Sequence, residues 1–190
     1  MRLPNGYRVA RNHVPRSVVD AALRRVWLEL RGCPVDPETI KQWDRSTWFP
    51  GIRNDPVFTQ LLEHVRSHPL LSGAGMWCEP QLLVRLPDWG DQQGQPTWHV
   101  DELPPWAGRR DAYEAIVQVA LTDCGPEQGG LVVRTFDGGP EPVHVSAGDI
   151  VIMHPDLPHA GTLNMGSTPR VCVYFRLLTR SLANPRRTSS

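Results

Sequence analysis

The 190-residue sequence has no net charge, since 20 basic and 20 acidic side chains cancel. No long-range field therefore draws it to nucleic acid or to an anionic membrane, and no face interleaves basic with aromatic residues. A small-molecule substrate is the expected partner. Apolar runs are short, and none approaches the roughly 20 residues of a membrane span. The opening MRLPNGYRVARNHV lacks the apolar core of a secretory leader, so a soluble, cytoplasmic protein is expected. The four cysteines, Cys33, Cys78, Cys124 and Cys172, are scattered with no C-x-x-C spacing. That argues against a zinc knuckle or a redox pair and for free thiols in a reducing compartment. Lysine is nearly missing, with Lys41 standing alone among many arginines, which reads as the coding bias of a GC-rich bacterial genome.

Proline and glycine, by contrast, are plentiful at 19 and 16 residues. So many turn formers disfavour an all-helical fold and suit short strands. Helical periodicity is confined to the first third. Val18, Ala21, Ala22, Val26, Trp27 and Leu30 predict a helix over 17–32, with Ser17 and Asp20 as a capping box and Gly32 as its stop. Asp36 before Pro37 predicts a second helix through Trp43, and Asp55 before Pro56 a third through Val65, because proline suits the first position after an aspartate cap. From Gln81 onward the pattern changes to QLLVRL, TWHVD, AIVQVALT, GLVVRTF, EPVHV, GDIVIM and RVCVYFRLL, divided by Gly, Pro and Asp. These read as about seven strands with no helices between them, hence a sandwich or barrel carrying the helices on one outer sheet face. The expected organisation is one domain over 1–182, with helices mainly in 17–67, a β core over 79–179 and a mobile tail over 183–190.

His99 and Asp101 lie two apart in TWHVD. In an extended segment such residues project from the same face and can share one ion. A second histidine would complete the mixed nitrogen and oxygen set of a two-histidine, one-carboxylate iron(II) site with open positions. The bland alternative is a surface strand whose His and Asp pair with each other or with water. GDIVIMHPDLPHAGTLN offers His154 and His159 as the further ligand. His159 is preferred because PHAGTLN places it in a turn leading to the last strand, eleven residues before Arg170. An arginine fork there would hold the far carboxylate of a dicarboxylic co-substrate that chelates iron through its other end.

Together these segments resemble the phytanoyl-CoA dioxygenase branch of the iron(II)/2-oxoglutarate oxygenases. NGYRVARNHVPRSVVDAALRRV is similar to that family's N-terminal strand and helix, and WHVD to its H-x-D motif. VALTDCGPEQGGLVV resembles the strand and turn that follow. GDIVIMHPDLPHAGTLNMGSTPRVCVYFRL follows the order G-D, distal His, Asn, Arg. The resemblance implies a double-stranded β-helix, a cupin-like jelly roll that is mainly β with N-terminal helices. It implies that His99, Asp101 and His159 bind Fe(II), that Arg170 binds 2-oxoglutarate, and that O2 is the oxidant. Since Asp101 is present, the implied reaction is hydroxylation rather than chlorination. Two departures stand out. RTFDGGPEPVHVSAGD replaces a long insert with a Gly-Ser-His signature, and the chain is shorter than typical members.

Polar residues inside apolar strands are candidates for a pocket lining, because a buried polar group must find a partner. Gln118 is a candidate for 2-oxoglutarate, Arg85 for an anionic substrate or the co-substrate, and Gln81 for substrate; internal hydrogen bonds or strand-edge ion pairs are the ordinary alternatives. Trp98 and Trp106 flank H-x-D and are candidates for the substrate entrance, while Trp27, Trp43 and Trp48 are expected to pack helices on the sheet. Thr162 and Asn164 either bond the co-substrate or shape the turn. Two other readings share the fold: a cupin-like metalloenzyme that uses the same three ligands without a keto acid, and a non-catalytic jelly-roll binding module.

Overall fold

The computed structural model describes residues 3–32, 46–48, 54–76, 80–87, 97–101, 115–125 and 127–178. The expected helix from Asp36 to Trp43, Trp106, Cys33, Cys78 and the tail after 178 lie outside the described residues. Among the described residues, ten strands and two α-helices run in the order β1 (Tyr7–Ala10), α1 (Arg16–Gly32), β2 (Ser46–Trp48), α2 (Pro56–Arg66), β3 (Gly75–Met76), β4 (Gln81–Arg85), β5 (Ala115–Ala120), β6 (Leu131–Arg134), β7 (Pro140–Val143), β8 (Ile150–Met153), β9 (His159–Gly161) and β10 (Arg170–Leu178). The larger sheet has the order β1-β8-β5-β10-β4-β2, with β3 joined to β10, and the smaller has the order β7-β6-β9. Every pairing is antiparallel. This is a double-stranded β-helix with helices on one outer face, the fold that the family resemblance implied and one form of the sandwich or barrel that the short strands predicted. Among the described residues, no helix is long and apolar enough to cross a membrane.

Alternation along the central strands divides the core in two. Val117 and Val119 of β5, Ile150 and Ile152 of β8, and Val171, Val173 and Phe175 of β10 join Val18, Val19, Ala22 and Val26 of α1 and Phe58, Leu61 and Val65 of α2. Ile116, Ala120, Val151, Met153 and Cys172, the opposite parity, meet Leu131 and Val133 of the smaller sheet. A strand covered on both sides needs apolar residues at every position, and all six residues of β5 are buried. Gln118 is therefore a polar residue placed on the inner face.

The helix ends differ in how well local chemistry specified them. Asp55 caps α2 as expected, its Oδ1 accepting from the Val57 amide at 2.9 Å with Pro56 in the first turn. The start of α1 needs correction. It opens at Arg16, with Val18 and Val19 amides bonded to the Pro15 carbonyl, and Asp20 is drawn to Arg16 Nε at 2.8 Å instead of closing a box with Ser17. Pro15 removes the amide that would otherwise need a cap, so the helix extends back past Ser17. Just ahead of α1, Asp149 ties the β1–α1 turn to β8, accepting from Arg11 Nη1 (2.7 Å), the Asn12 amide (2.7 Å) and the Ser146 amide (2.9 Å). Its neighbour Gly148 has φ +96°, and a Cβ there would stand 2.7 Å from the Val14 carbonyl oxygen. The G-D pair of the sequence thus serves a tight structural junction.

Candidate active site

The inner faces of β4, β5 and β10 and the edge of the smaller sheet enclose a cavity of about 350 Å³. Inward-facing positions on these strands recur every second residue: Gln81, Leu83 and Arg85 on β4, Gln118 on β5, and Arg170, Tyr174 and Arg176 on β10. His99, Asp101 and His159 stand in the same lining.

A single backbone bridge assembles this trio. The His99 amide donates to the His159 carbonyl at 3.0 Å and the His159 amide to the His99 carbonyl at 2.9 Å. This reciprocal pair sets the two side chains on one face, with ring centroids 4.5 Å apart. Asp101, two residues on, falls on that same face. Its Oδ1 lies 3.9 Å from His99 Nε2 and 3.7 Å from His159 Nε2, and one donor atom from each residue falls within 4.8 Å of the others.

The tautomers also suit a metal. His99 Nδ1 bonds the Thr97 carbonyl and His159 Nδ1 the Leu157 carbonyl, each at 3.0 Å. Because a carbonyl only accepts, each Nδ1 carries a proton, and in the tautomer so fixed the lone pair of a neutral imidazole lies on Nε2. Burial holds the His159 imidazole below its ordinary pKa, only partly offset by its backbone bond and by Asp101. The neutral form that a ligand must have is thereby favoured. Two imidazoles and one carboxylate with an open side make the donor set of a mononuclear non-haem iron(II) site.

Asp101 Oδ2 points away from the histidines and accepts from Arg176 Nη2 at 2.7 Å, while Arg176 Nη1 donates to Gln81 Oε1 at 2.8 Å. Gln118 is held too: its Nε2 contacts Cys172 Sγ at 3.1 Å and its Oε1 accepts from the Tyr174 hydroxyl at 3.1 Å. Burial pushes the Tyr174 phenol well above its ordinary pKa, which keeps it protonated as a donor. Arg170 is 2% exposed, and its Nε has no hydrogen-bond partner among the described residues. Arg170 and Arg85 are register partners across β10 and β4. A Cβ on Gly161 would lie 3.5 Å from Arg170 Nη2 and 3.7 Å from Arg85 Nη2, so both guanidinium groups reach one corner of the cavity.

His99, Asp101, His159, Arg170, Gln118, Arg85 and Gln81 thus share one cavity. Other singled-out residues sit elsewhere. Trp98 is not in the lining; its ring lies 5.0 Å under the Arg134 guanidinium, on the side of the segment opposite His99. Thr162 binds the Gly130 carbonyl through both its amide (3.0 Å) and its Oγ1 (3.2 Å), and it too is outside the lining. Asn164 Nδ2 donates to the Arg85 carbonyl at 3.0 Å and the Thr168 carbonyl at 2.8 Å, which shapes the turn into β10. His154 accepts from the Asp156 amide at 3.1 Å and meets the edge of Phe136, away from the cavity. Arg176 and Tyr174 were missed by the sequence reading. Both lie an even number of residues from Arg170, the parity that puts them on the same face of β10.

Fold and site together define a double-stranded β-helix with a two-histidine, one-carboxylate cavity. No protein-family model matches the sequence, and no protein of described function is significantly similar to it in sequence. Solved structures do match. The non-haem α-ketoglutarate-dependent epimerase SnoN from nogalamycin biosynthesis superposes with a TM-score of 0.68 at 16% identity, over 93% of this chain and 78% of its own. HygX from Streptomyces hygroscopicus, solved with nickel and 2-oxoglutarate bound, gives 0.65 at 16% identity over 93% and 84%. A Pseudomonas putida prolyl-4-hydroxylase gives 0.57 at 17% over 93% and 94%. At these identities the likeness is one of fold.

Proposed function

We propose that the chain is an iron(II)- and 2-oxoglutarate-dependent oxygenase, formed as one domain over 1–182, that hydroxylates an unactivated C–H bond of a small molecule. We place it beside the phytanoyl-CoA dioxygenase branch. One observation carries the reading: both imidazole Nε2 atoms and Asp101 Oδ1 turn toward one another in the same cavity as a buried arginine whose Nε has no partner. His99, Asp101 and His159 would hold the iron. Arg170, with Arg85 beside it, would hold the far carboxylate of 2-oxoglutarate through charge-assisted bonds. That HygX binds nickel and 2-oxoglutarate on this fold supports the assignment.

Iron(II) bound with 2-oxoglutarate would supply four-electron reduction of O2, two electrons coming from oxidative decarboxylation of the keto acid to succinate and carbon dioxide and two from the C–H bond that becomes C–OH. The chain's own part is positioning. β10 and β4 fix the arginine end of the co-substrate, the bridge between His99 and His159 fixes the metal end, and Gln118, pinned by Tyr174, presents its amide along the wall between them. Leu83 and Leu131 are the apolar part of that wall.

The test is an anaerobic titration with iron(II) and then 2-oxoglutarate, followed through the visible charge-transfer band of a chelated keto acid. The expected band is lost in His99→Ala. Iron binding without a band would favour the cupin-like reading, and failure to bind iron would end the enzyme reading. Adding O2 and candidate substrates, with products analysed by mass, then separates hydroxylation from other oxidative outcomes, such as that of the epimerase SnoN.

A further inference from the structure

His159 lies in β9 and His99 is bridged to it, but Asp101 belongs to no strand and follows that single bridge by two residues. Its side chain is nonetheless well buried, at 14% exposed, and so is that of Arg176, at 10%. The carboxylate is split by function: Oδ1 faces the two imidazoles, and Oδ2 takes a charge-assisted bond of 2.7 Å from Arg176 Nη2. Arg176 is itself steered. It extends from β10, which pairs with both β4 and β5, and its other terminal nitrogen is held by Gln81 of β4 at 2.8 Å. The sheet therefore reaches across the cavity through Gln81 and Arg176 to the carboxylate of Asp101.

We propose that Arg176, braced by Gln81, is the positioning residue that makes Asp101 a one-oxygen metal ligand. The inference rests on the metal-site reading above. A carboxylate can bind an ion through one oxygen or both. With Oδ2 taking the Arg176 Nη2–H bond, that oxygen is the weaker donor, and Oδ1, which faces the two imidazoles, is the one presented to the metal. The ion's other places then go to the co-substrate rather than to a second carboxylate oxygen. The same contact draws electron density from the carboxylate and tempers its donor strength, as partners of ligating residues commonly do.

Cobalt(II) alone is the probe, titrated into the full chain as wild type, Arg176→Gln, Arg176→Lys and Gln81→Ala. Affinity is measured by calorimetry, and ligand geometry is read from the visible absorption of the bound cobalt. The expected result is about 10- to 100-fold weaker binding in Arg176→Gln, in the range seen when such partners are removed, with a changed cobalt spectrum. Lysine should restore part of both, and Gln81→Ala should shift both in the same direction by a smaller factor. Gln81→Ala removes only the brace, so it reports even where Arg176→Gln folds poorly. Wild-type affinity and spectrum in Arg176→Gln and Gln81→Ala would overturn the inference while leaving the metal site standing. Weakened binding with an unchanged spectrum and no recovery by lysine would reduce Arg176 to a structural prop and also overturn it. If the wild type itself binds no cobalt, the metal-site reading fails first.

Discussion

Replacing Arg170 by methionine should pull stability and co-substrate binding in opposite directions. Arg170 is 2% exposed, and its Nε is buried without a hydrogen-bond partner. A buried donor left unsatisfied costs about 1–3 kcal/mol, and replacing a buried charge by an apolar residue of similar length is often neutral or stabilising. The unliganded Arg170→Met protein is therefore expected to equal the wild type or exceed it by up to about 2 kcal/mol in unfolding free energy. Binding should move the other way. Removing one member of a desolvated charge pair costs roughly 2–5 kcal/mol, and with Arg85 reaching the same corner the lower half of that range applies. About 2–3 kcal/mol corresponds to roughly 30- to 150-fold weaker 2-oxoglutarate binding. Urea denaturation of the metal-free protein measures the first quantity, and calorimetric titration of 2-oxoglutarate into the anaerobic metal complex the second. A variant that loses stability while binding 2-oxoglutarate as tightly as the wild type would show that Arg170 serves the fold, and the reasoning would be wrong.

Gly129 has φ +70°, and a Cβ there would stand 2.5 Å from the Leu163 carbonyl oxygen and 2.6 Å from that of Thr162. Gly129→Ala should cost about 1–3 kcal/mol, from left-handed backbone strain and overpacking, visible as a lower denaturation midpoint; an unchanged midpoint would contradict the close approach. Asp55 both caps α2 and pairs with Arg25 Nε at 2.7 Å. Asp55→Ala should lose about 1–2 kcal/mol and Asp55→Asn less, because asparagine keeps the cap; equal losses would assign the effect to the ion pair. Burial, with His13 and Arg8 nearby, holds His68 below its ordinary pKa of 6.5. On acidification through 6.5 the unfolded chain takes up a proton that the folded protein does not yet accept, so stability is intact above that pH and declines below it. His68→Asn retains an acceptor for the Leu70 amide and should lose less stability between pH 7 and pH 5.5; identical pH profiles would remove His68 from the account.

Much of the fold was legible because alternation is local. QLLVRL, AIVQVALT and RVCVYFRLL each became a strand, and the polar residues that interrupt them, Gln81, Arg85 and Gln118, all line the cavity. The helix over 56–66 followed from its Asp-Pro start. Other parts left no such trace. β9 has three residues and β3 two, too few for a period to register. Thr162 and Asn164 sit beside the distal histidine in sequence but spend their hydrogen bonds on the turn backbone. Trp98 adjoins His99 yet turns to Arg134, since neighbours in an extended segment face opposite ways.

By itself, then, the sequence determined which residues of each segment share a face, because strand periodicity is a property of the chain's own geometry. It set His99 with Asp101 before any partner strand was known. Tertiary structure alone decided which faces meet. Sixty residues separate His99 from His159, and it is their reciprocal backbone bridge that selects His159 over His154. The pairing of β10 with β4 likewise brings Arg176 to Gln81 and Arg170 to Arg85. Pairings of this kind depend on how sheets close on one another, and no spacing within a strand encodes them.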